Sequence, residues 1–416
     1  MFLRARLVVP VSRPPIKDGA VLILGNRIAA VGSWRDLSAG QTEDHRDLGE
    51  VILLPGLVNA HCHLDYTSMA GQFPPPRVFT DWIKLITSTK AEWRYSEFAE
   101  SWVSGAKMLV RTGTTTVGDI ENLPELLPEV WDATPLRVIS FLEMTGVKRH
   151  RKPRLILQDA IQRIDGLPNS RCLAGLSPHA PYSTQPELLR LTSEAARKRD
   201  WRLCTHVAES AQEFEMFTRG RGEMFDWLRR SGRDMSDCGL GSPVQHMERN
   251  GALGKNLLAV HANYLAKNDA ALLAKRRVSV VHCPRSHFYF KHDRFPFREL
   301  SRAGVKICLG TDSLASVWKH RRETVELDLF EEMRAFAALN SSVSLQTILQ
   351  MATLNAARAL GLRGQVGEFA PKAFADLIAI PFGGKPSGVY DAILAHSGPI
   401  TASMIDGRWA IPPHAD

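Results

Sequence analysis

The chain has no C-x-x-C pair: its six cysteines, Cys62, Cys172, Cys204, Cys238, Cys283 and Cys308, are spread one by one along 416 residues. That spacing excludes a disulfide-stapled scaffold and a paired-cysteine zinc module, and fits reduced, buried thiols in a cytoplasmic protein. There is no run of the roughly 18–20 apolar residues that spans a bilayer. The N-terminal stretch lacks the continuous apolar core and small-residue cleavage site of a secretory signal. No G-x-G-x-x-G follows an early strand-like run and no Walker A sequence is present, so the usual dinucleotide and nucleotide-triphosphate cradles are absent. The H-x-E…P-C-x-x-C set of cytidine-deaminase-type zinc enzymes is missing too. Glycine (30) and proline (24) are scattered without a period, which excludes a fibrous or low-complexity chain.

What is there reads as an ordinary globular protein, 44% hydrophobic and 23% charged. The net charge is +8. Its basic residues are dispersed, the densest group running from Lys148 to Arg154. A solvated surface with some preference for a small anionic ligand is the expectation, with neither a nucleic acid nor a membrane as partner.

Short β-rich runs open the chain (Leu3 to Val9, Ala20 to Leu24, Arg27 to Val31, Val51 to Leu53), with Gly25-Asn26 as a hairpin signal. Similar runs close it, at Ala375 to Ile380, Thr401 to Ile405 and Arg408 to Ile411, with Asp406-Gly407 as a tight turn. The two ends are expected to form one small β-sandwich domain. Between them, eight apolar runs alternate with amphipathic helices such as Phe98 to Arg111, Pro186 to Lys198, Ala266 to Arg276 and Thr324 to Leu339. Strands alternating with helices indicate parallel βαβ units, and eight of them predict an α/β fold of the (β/α)8 TIM-barrel type. The predicted division is 1–54 and 366–416 for the small domain and 55–365 for the barrel.

Polar residues fall at the ends of these runs, where a barrel carries its active site. The first ends in His61-Cys62-His63, the fifth in His206 with Glu209 beyond it, the sixth in His261, the seventh in His282 and the eighth in Asp312. His61 and His63 lie two apart on a strand and so face the same side. With 14 histidines in the chain, packing alone is a poor explanation for this placement. Imidazole and carboxylate suit Zn²⁺, with Fe²⁺ as the alternative.

P-G-L-V-N-A-H-C-H-L from Pro55 to Leu64 resembles the first-strand signature of the amidohydrolase superfamily. His206-Val207-Ala208-Glu209 resembles the H-x-x-E of its mononuclear deaminase and chlorohydrolase branch, and Gly310-Thr311-Asp312 its eighth-strand metal aspartate. The likeness runs from about Gly19 to about Asp376. It implies one divalent metal on His61, His63, His206 and Asp312, because the fourth strand leads into Ser177-Pro178-His179 without the lysine that bridges two metals in other members. It also implies a metal-dependent hydrolytic deaminase: Asp312 and His261 take a proton from water, and Glu209 protonates the ring nitrogen.

The stretch S-P-H-A-P-Y-S around His179 is similar to a substrate-contacting loop of methylthioadenosine and S-adenosylhomocysteine deaminases. The Phe79-x-x-Trp82 pattern with Glu92 resembles a loop over the purine site, in which a carboxylate meets ribose hydroxyls. Leu64-Asp65-Tyr66-Thr67 is similar to a segment of the aminodeoxyfutalosine deaminases. His282-Cys283-Pro284-Arg285-Ser286-His287 carries Cys283 and His287 where the common form has asparagines, which implies a different substrate contact from His282 and His287. Arg137, Lys148, Arg149 and Arg151 are candidates for an anionic substrate tail. The substrate implied is an adenosine-type purine nucleoside derivative. Triazine dechlorination and guanine or pterin deamination use the same site, and ligand-less relatives serve as interaction proteins. A homo-oligomer is compatible with the resemblance.

Overall fold

In the computed structural model, residues 1–39, 44–147, 152–168, 171–320 and 322–413 are described. Five strands come first: β1 (Phe2–Val8), β2 (Ile16–Leu24), β3 (Arg27–Ser33), β4 (His45–Asp47) and β5 (Val51–Pro55). Eight follow in the centre: β6 (Leu57–Cys62), β7 (Thr114–Glu121), β8 (Arg137–Met144), β9 (Leu173–Pro178), β10 (Leu203–Val207), β11 (Leu257–His261), β12 (Ser279–His282) and β13 (Lys306–Leu309). The last are β14 (Leu377–Pro381), β15 (Ala402–Ile405) and β16 (Arg408–Ile411).

The eight central strands pair in chain order, all parallel. Nearly all of their residues are buried, as in a sheet covered on both faces. The ring closes where Cys62 bridges Asp312 and the Asp312 N–H donates to the His61 carbonyl at 3.1 Å. Gly310 permits this approach: a Cβ there would stand 2.7 Å from the His61 carbonyl oxygen. Asn59 fastens the same seam, accepting from the Thr311 N–H at 3.1 Å and donating to the Thr311 hydroxyl at 2.7 Å. The (β/α)8 barrel is therefore present, with every predicted strand in place to within a few residues.

Its helices pack by their apolar faces. In the helix Tyr95–Arg111, Phe98, Trp102, Ala106, Leu109 and Val110 recur at three- and four-residue intervals and are buried. The predicted helix from Thr324 starts instead at Leu329, because the Asp328 carboxylate accepts from the Phe330 N–H and caps it there. The helix predicted from Ala266 likewise starts at Asp269.

The termini do combine. Their strands run in the order β16-β15-β14-β5-β1-β2-β3, with β4 beside β1. Expected as a sandwich, they are hydrogen-bonded as one continuous eight-stranded sheet. Arg137 joins this sheet to the barrel. It lies at the start of β8, far from the strand ends that carry the site, and is 3% exposed. Its guanidinium reaches Asp376 at 3.2 Å and Asp406 at 3.3 Å and lies over the Phe374 ring. The expectation that Arg137 meets a substrate tail is thus corrected: its charge is consumed between the two sheets. Lys148, Arg149 and Arg151 lie outside the described residues. Among the described residues, no helix is long and apolar enough to cross a membrane.

Candidate metal centre and active-site cavity

The ends of three barrel strands bring His61, His63, His206 and Asp312 together. His61 and His63 come from the end of β6, and His206 from β10. Asp312 follows β13 and holds a left-handed backbone, φ 55°. Donor atoms of the three histidines lie within 4.8 Å of one another, with His63 Nε2 and His206 Nε2 3.4 Å apart. Asp312 Oδ1 stands 3.6 Å from His61 Nε2 and 3.7 Å from His63 Nε2.

These residues fit a bound cation. His61 Nε2 is fully buried with no hydrogen-bond partner, an arrangement that is costly unless something fills it. His206 directs Nδ1 to the His179 carbonyl at 2.9 Å. That fixes the tautomer and leaves Nε2 as the free donor atom. Burial lowers the His206 pKa to about 3 and drives that of His63 well below the usual range, so both rings are neutral as ligands must be. Burial pushes the Asp312 carboxyl upward, but its contact with His61 and the surrounding imidazoles of His261, His61 and His63 outweigh this and hold it well below the usual range.

Glu209 and His261 complete the polar end of the site. Glu209 Oε1 lies 3.4 Å from His261 Nε2, and His261 Nε2 lies 4.0 Å from Asp312 Oδ2. Burial, then the neighbouring Asp312 and Glu213 charges, raise the Glu209 carboxyl well above the carboxylate range. Burial has the opposite effect on His261, whose pKa is driven well down.

Two residues not singled out in the sequence aim Glu209. Glu213 accepts from the Glu209 and Ala208 N–H groups at 2.8 and 3.0 Å. Asn263 donates to the Glu209 carbonyl at 2.9 Å and faces His287 Nδ1 at 3.1 Å with its own oxygen. The S-x-x-E pattern at Ser210 to Glu213 signals the first: Ser210 caps the helix Ala211–Arg219, while the glutamate turns back to the preceding loop. Asn263 has no such local signal.

A cavity of about 960 Å³ opens over this end. His63, His206, Glu209, His261 and Asp312 line its floor, and Phe79, Trp82, Ile83, Tyr182, Trp227 and Leu228 give it an apolar wall. Its polar side carries His179, Glu143, Asn122 and Lys90. His179 Nδ1 lies 2.6 Å from the Ser183 hydroxyl, and His179 Nε2 3.9 Å from Glu143. Burial, then Lys90 and His61, lower its pKa to about 3.

His179 and Trp82 thus stand in the cavity, but three predicted substrate contacts do not. Glu92 is exposed at the end of the helix Phe79–Glu92 and outside the lining. Phe79, Trp82, Ile83, Ile86 and Lys90 share one helical face, and a residue two positions past Lys90 points elsewhere. His282 stacks on Phe295 at 3.8 Å, behind the barrel mouth. His287 is buried against His282 and Asn263. Both pack behind the cavity, and neither is among the residues that line it.

The Amidohydrolase family profile matches residues 52–410. This chain belongs to the amidohydrolase family. A curated family relative, the 5-methylthioadenosine/S-adenosylhomocysteine deaminase of Syntrophobacter fumaroxidans, is 32% identical over 94% of this chain and 87% of its own length. An adenosine deaminase from Xanthomonas campestris, solved with bound zinc, superposes with a TM-score of 0.84 at 25% identity, covering 99% of this chain and 92% of that one. An aminofutalosine deaminase from Helicobacter pylori, in complex with methylthio-coformycin, shares the fold at a TM-score of 0.88 and 21% identity, over 99% of this chain and 100% of that one. As an amidohydrolase, the chain has the barrel and the strand-end histidines expected of its sequence.

Proposed function

We propose that this amidohydrolase is a metal-dependent hydrolytic deaminase of an adenosine-type purine nucleoside, with a single zinc ion on His61, His63, His206 and Asp312. The observation that carries the reading is the buried Glu209 carboxyl, its pKa raised by burial, 3.4 Å from His261 at the floor of a cavity with an aromatic wall. Relatives that deaminate adenosine derivatives support the substrate class.

When bound, the metal would acidify a water, bringing its pKa down toward roughly 7. Asp312 and His261 would take up the proton that such a water gives up. Glu209, whose raised pKa favours the protonated form, delivers a proton to the ring nitrogen beside the amino-bearing carbon. The carboxylate left on Glu209 then takes the proton held at His261, 3.4 Å away, and passes it to the leaving ammonia, and the remaining hydroxyl proton returns to Glu209 as the oxo group forms, a shuttle that suits a carboxyl with a raised pKa. Water and the aminopurine yield the oxopurine and ammonia. Trp82 and Phe79 pack on the base, His179 contacts it from β9, and Glu143, Asn122 and Lys90 take the sugar side.

The test is ammonia release from adenosine, methylthioadenosine, S-adenosylhomocysteine, aminodeoxyfutalosine, guanine, cytosine, pterins and an aminotriazine. Turnover of at least one 6-aminopurine nucleoside, well above guanine and the triazine, is expected. Turnover of the triazine or guanine alone overturns the reading.

A further inference from the structure

We propose that His261, Cys283 and Asp312 form a second, inhibitory metal site, for a thiophilic divalent cation such as Zn²⁺ or Cd²⁺. Donor atoms of the three lie within 4.8 Å of one another, and all three residues are buried. This group is separate from the His61, His63 and His206 set.

Three observations support it. Asp312 faces two ways: Oδ1 turns to His61 and His63, while Oδ2 turns to His261 at 4.0 Å. One carboxylate can therefore bridge two cations. His261 Nε2 is 2% exposed by residue, fully buried by atom, and has no hydrogen-bond partner. Cys283 is an unpaired cysteine just past the end of β12, wholly buried, with its sulfur within 4.8 Å of a ring nitrogen of His261 and a carboxylate oxygen of Asp312. A histidine, a cysteine and a carboxylate are a zinc-type donor set, and the sulfur selects against magnesium and calcium. Tetrahedral zinc places neighbouring donors roughly 3.5 Å apart, so His261 and Asp312, at 4.0 Å, need close by about half an ångström and the Cys283 sulfur, within 4.8 Å, by at most about 1.3 Å. His261 and Asp312 both line the main cavity, which gives a cation its route in.

Binding exchanges one proton: the Cys283 S–H bond breaks, the S–metal bond forms and the proton goes to solvent, with no change of oxidation state. The site differs from a lysine-bridged pair, for which the end of β9 has no lysine. Its consequence rests on the proposed deamination. A cation on His261 Nε2 removes the group that receives the water's proton, so a second equivalent switches the enzyme off.

The one-metal protein is titrated with CdCl₂ under a non-thiol reductant. Bound cadmium is counted by mass spectrometry, and the sulfur-to-metal band is followed in the ultraviolet. Wild type is expected to take up a further equivalent with a sulfur-to-metal band. Cys283→Ser and Cys283→Asn are expected to keep the first metal, lose the band and bind the second at least tenfold more weakly. X-ray absorption at the cadmium edge of the wild type, which needs no variant to fold, is expected to show one sulfur neighbour. The proposal is overturned if wild type takes up no further equivalent, if only nitrogen and oxygen surround it, or if the band survives in both variants. These readings need no substrate, so they stand apart from the deamination assay. Excess Zn²⁺ should then inhibit wild type at a concentration at least tenfold lower than either variant, and equal sensitivity overturns the inhibitory role.

Discussion

Glu209 and His261 meet side chain to side chain, Oε1 to Nε2 at 3.4 Å, from the ends of neighbouring strands and almost sealed from solvent. Burial raises the carboxyl and lowers the imidazole. Both shifts favour the uncharged forms, with the proton on Glu209. The pair is poised to give a proton from one side and accept one from the other.

Glu209→Gln keeps the shape and removes that proton. Turnover should fall by about 10²–10⁴-fold while the bound metal and the melting temperature stay at wild-type values. Steady-state kinetics with metal analysis on the same sample checks this; near-normal turnover would take Glu209 out of the mechanism.

Asp312→Ala removes the carboxylate between the histidines and leaves the backbone bond from residue 312 to His61 intact. The expected result is a folded barrel that releases its metal on dialysis against a chelator that wild type survives. A fully metallated, active variant would refute the assigned ligand set.

Asn263→Ala cuts the tie to the Glu209 carbonyl without touching the cavity wall. Turnover should drop roughly 10–100-fold, with KM changed by less than about twofold. Asn263→Asp should fail in the same way, since it keeps an acceptor for His287 but loses the donor to Glu209. If Asn263→Asp is fully active, the tie does not position Glu209.

His246 lies outside the site, packed on Phe217 at 4.6 Å and accepting from Asn250. Burial lowers its pKa to about 4, despite Asp237 nearby. The unfolded chain takes up this proton below about pH 6.5, whereas the folded chain resists until about 4. Its contribution is thus fully present above the ordinary value and is lost as pH falls, by up to about 1.4 kcal/mol per unit. His246→Phe should flatten that acid limb in urea melts between pH 6.5 and 4. An unchanged slope contradicts the assignment.

Arg137→Met leaves Asp376, at 1% side-chain exposure, without its partner. Breaking a buried pair in this way costs about 3–5 kcal/mol. Denaturant unfolding should show that loss while metal content is unchanged, because the pair lies at the opposite end of the barrel from the ligands.

Much of this was legible from residue order, because a parallel barrel writes itself as apolar runs ending in polar residues. The period of two put His61 and His63 on one side, and the strand ends located His206, His261 and Asp312. The misreadings arose where chain direction alone does not give side-chain direction. Glu92 lies on the wrong face of its helix by two residues. His282 ends a strand as His261 does, yet its ring turns onto Phe295 rather than into the mouth. Arg137 sits at the beginning of its strand, where a barrel places residues that stabilise rather than react. Asn263 and Lys90 were missed because their partners, Glu209 and Tyr66, come from distant segments.

The pairing of β5 with β14 also orders events during synthesis. One edge of β5 is made before the barrel and its partner only after it. On the ribosome, that edge must wait while all eight barrel strands emerge. A nascent chain stalled before residue 377 would expose it, together with an unanswered Arg137, and such chains should be the ones that chaperones retain.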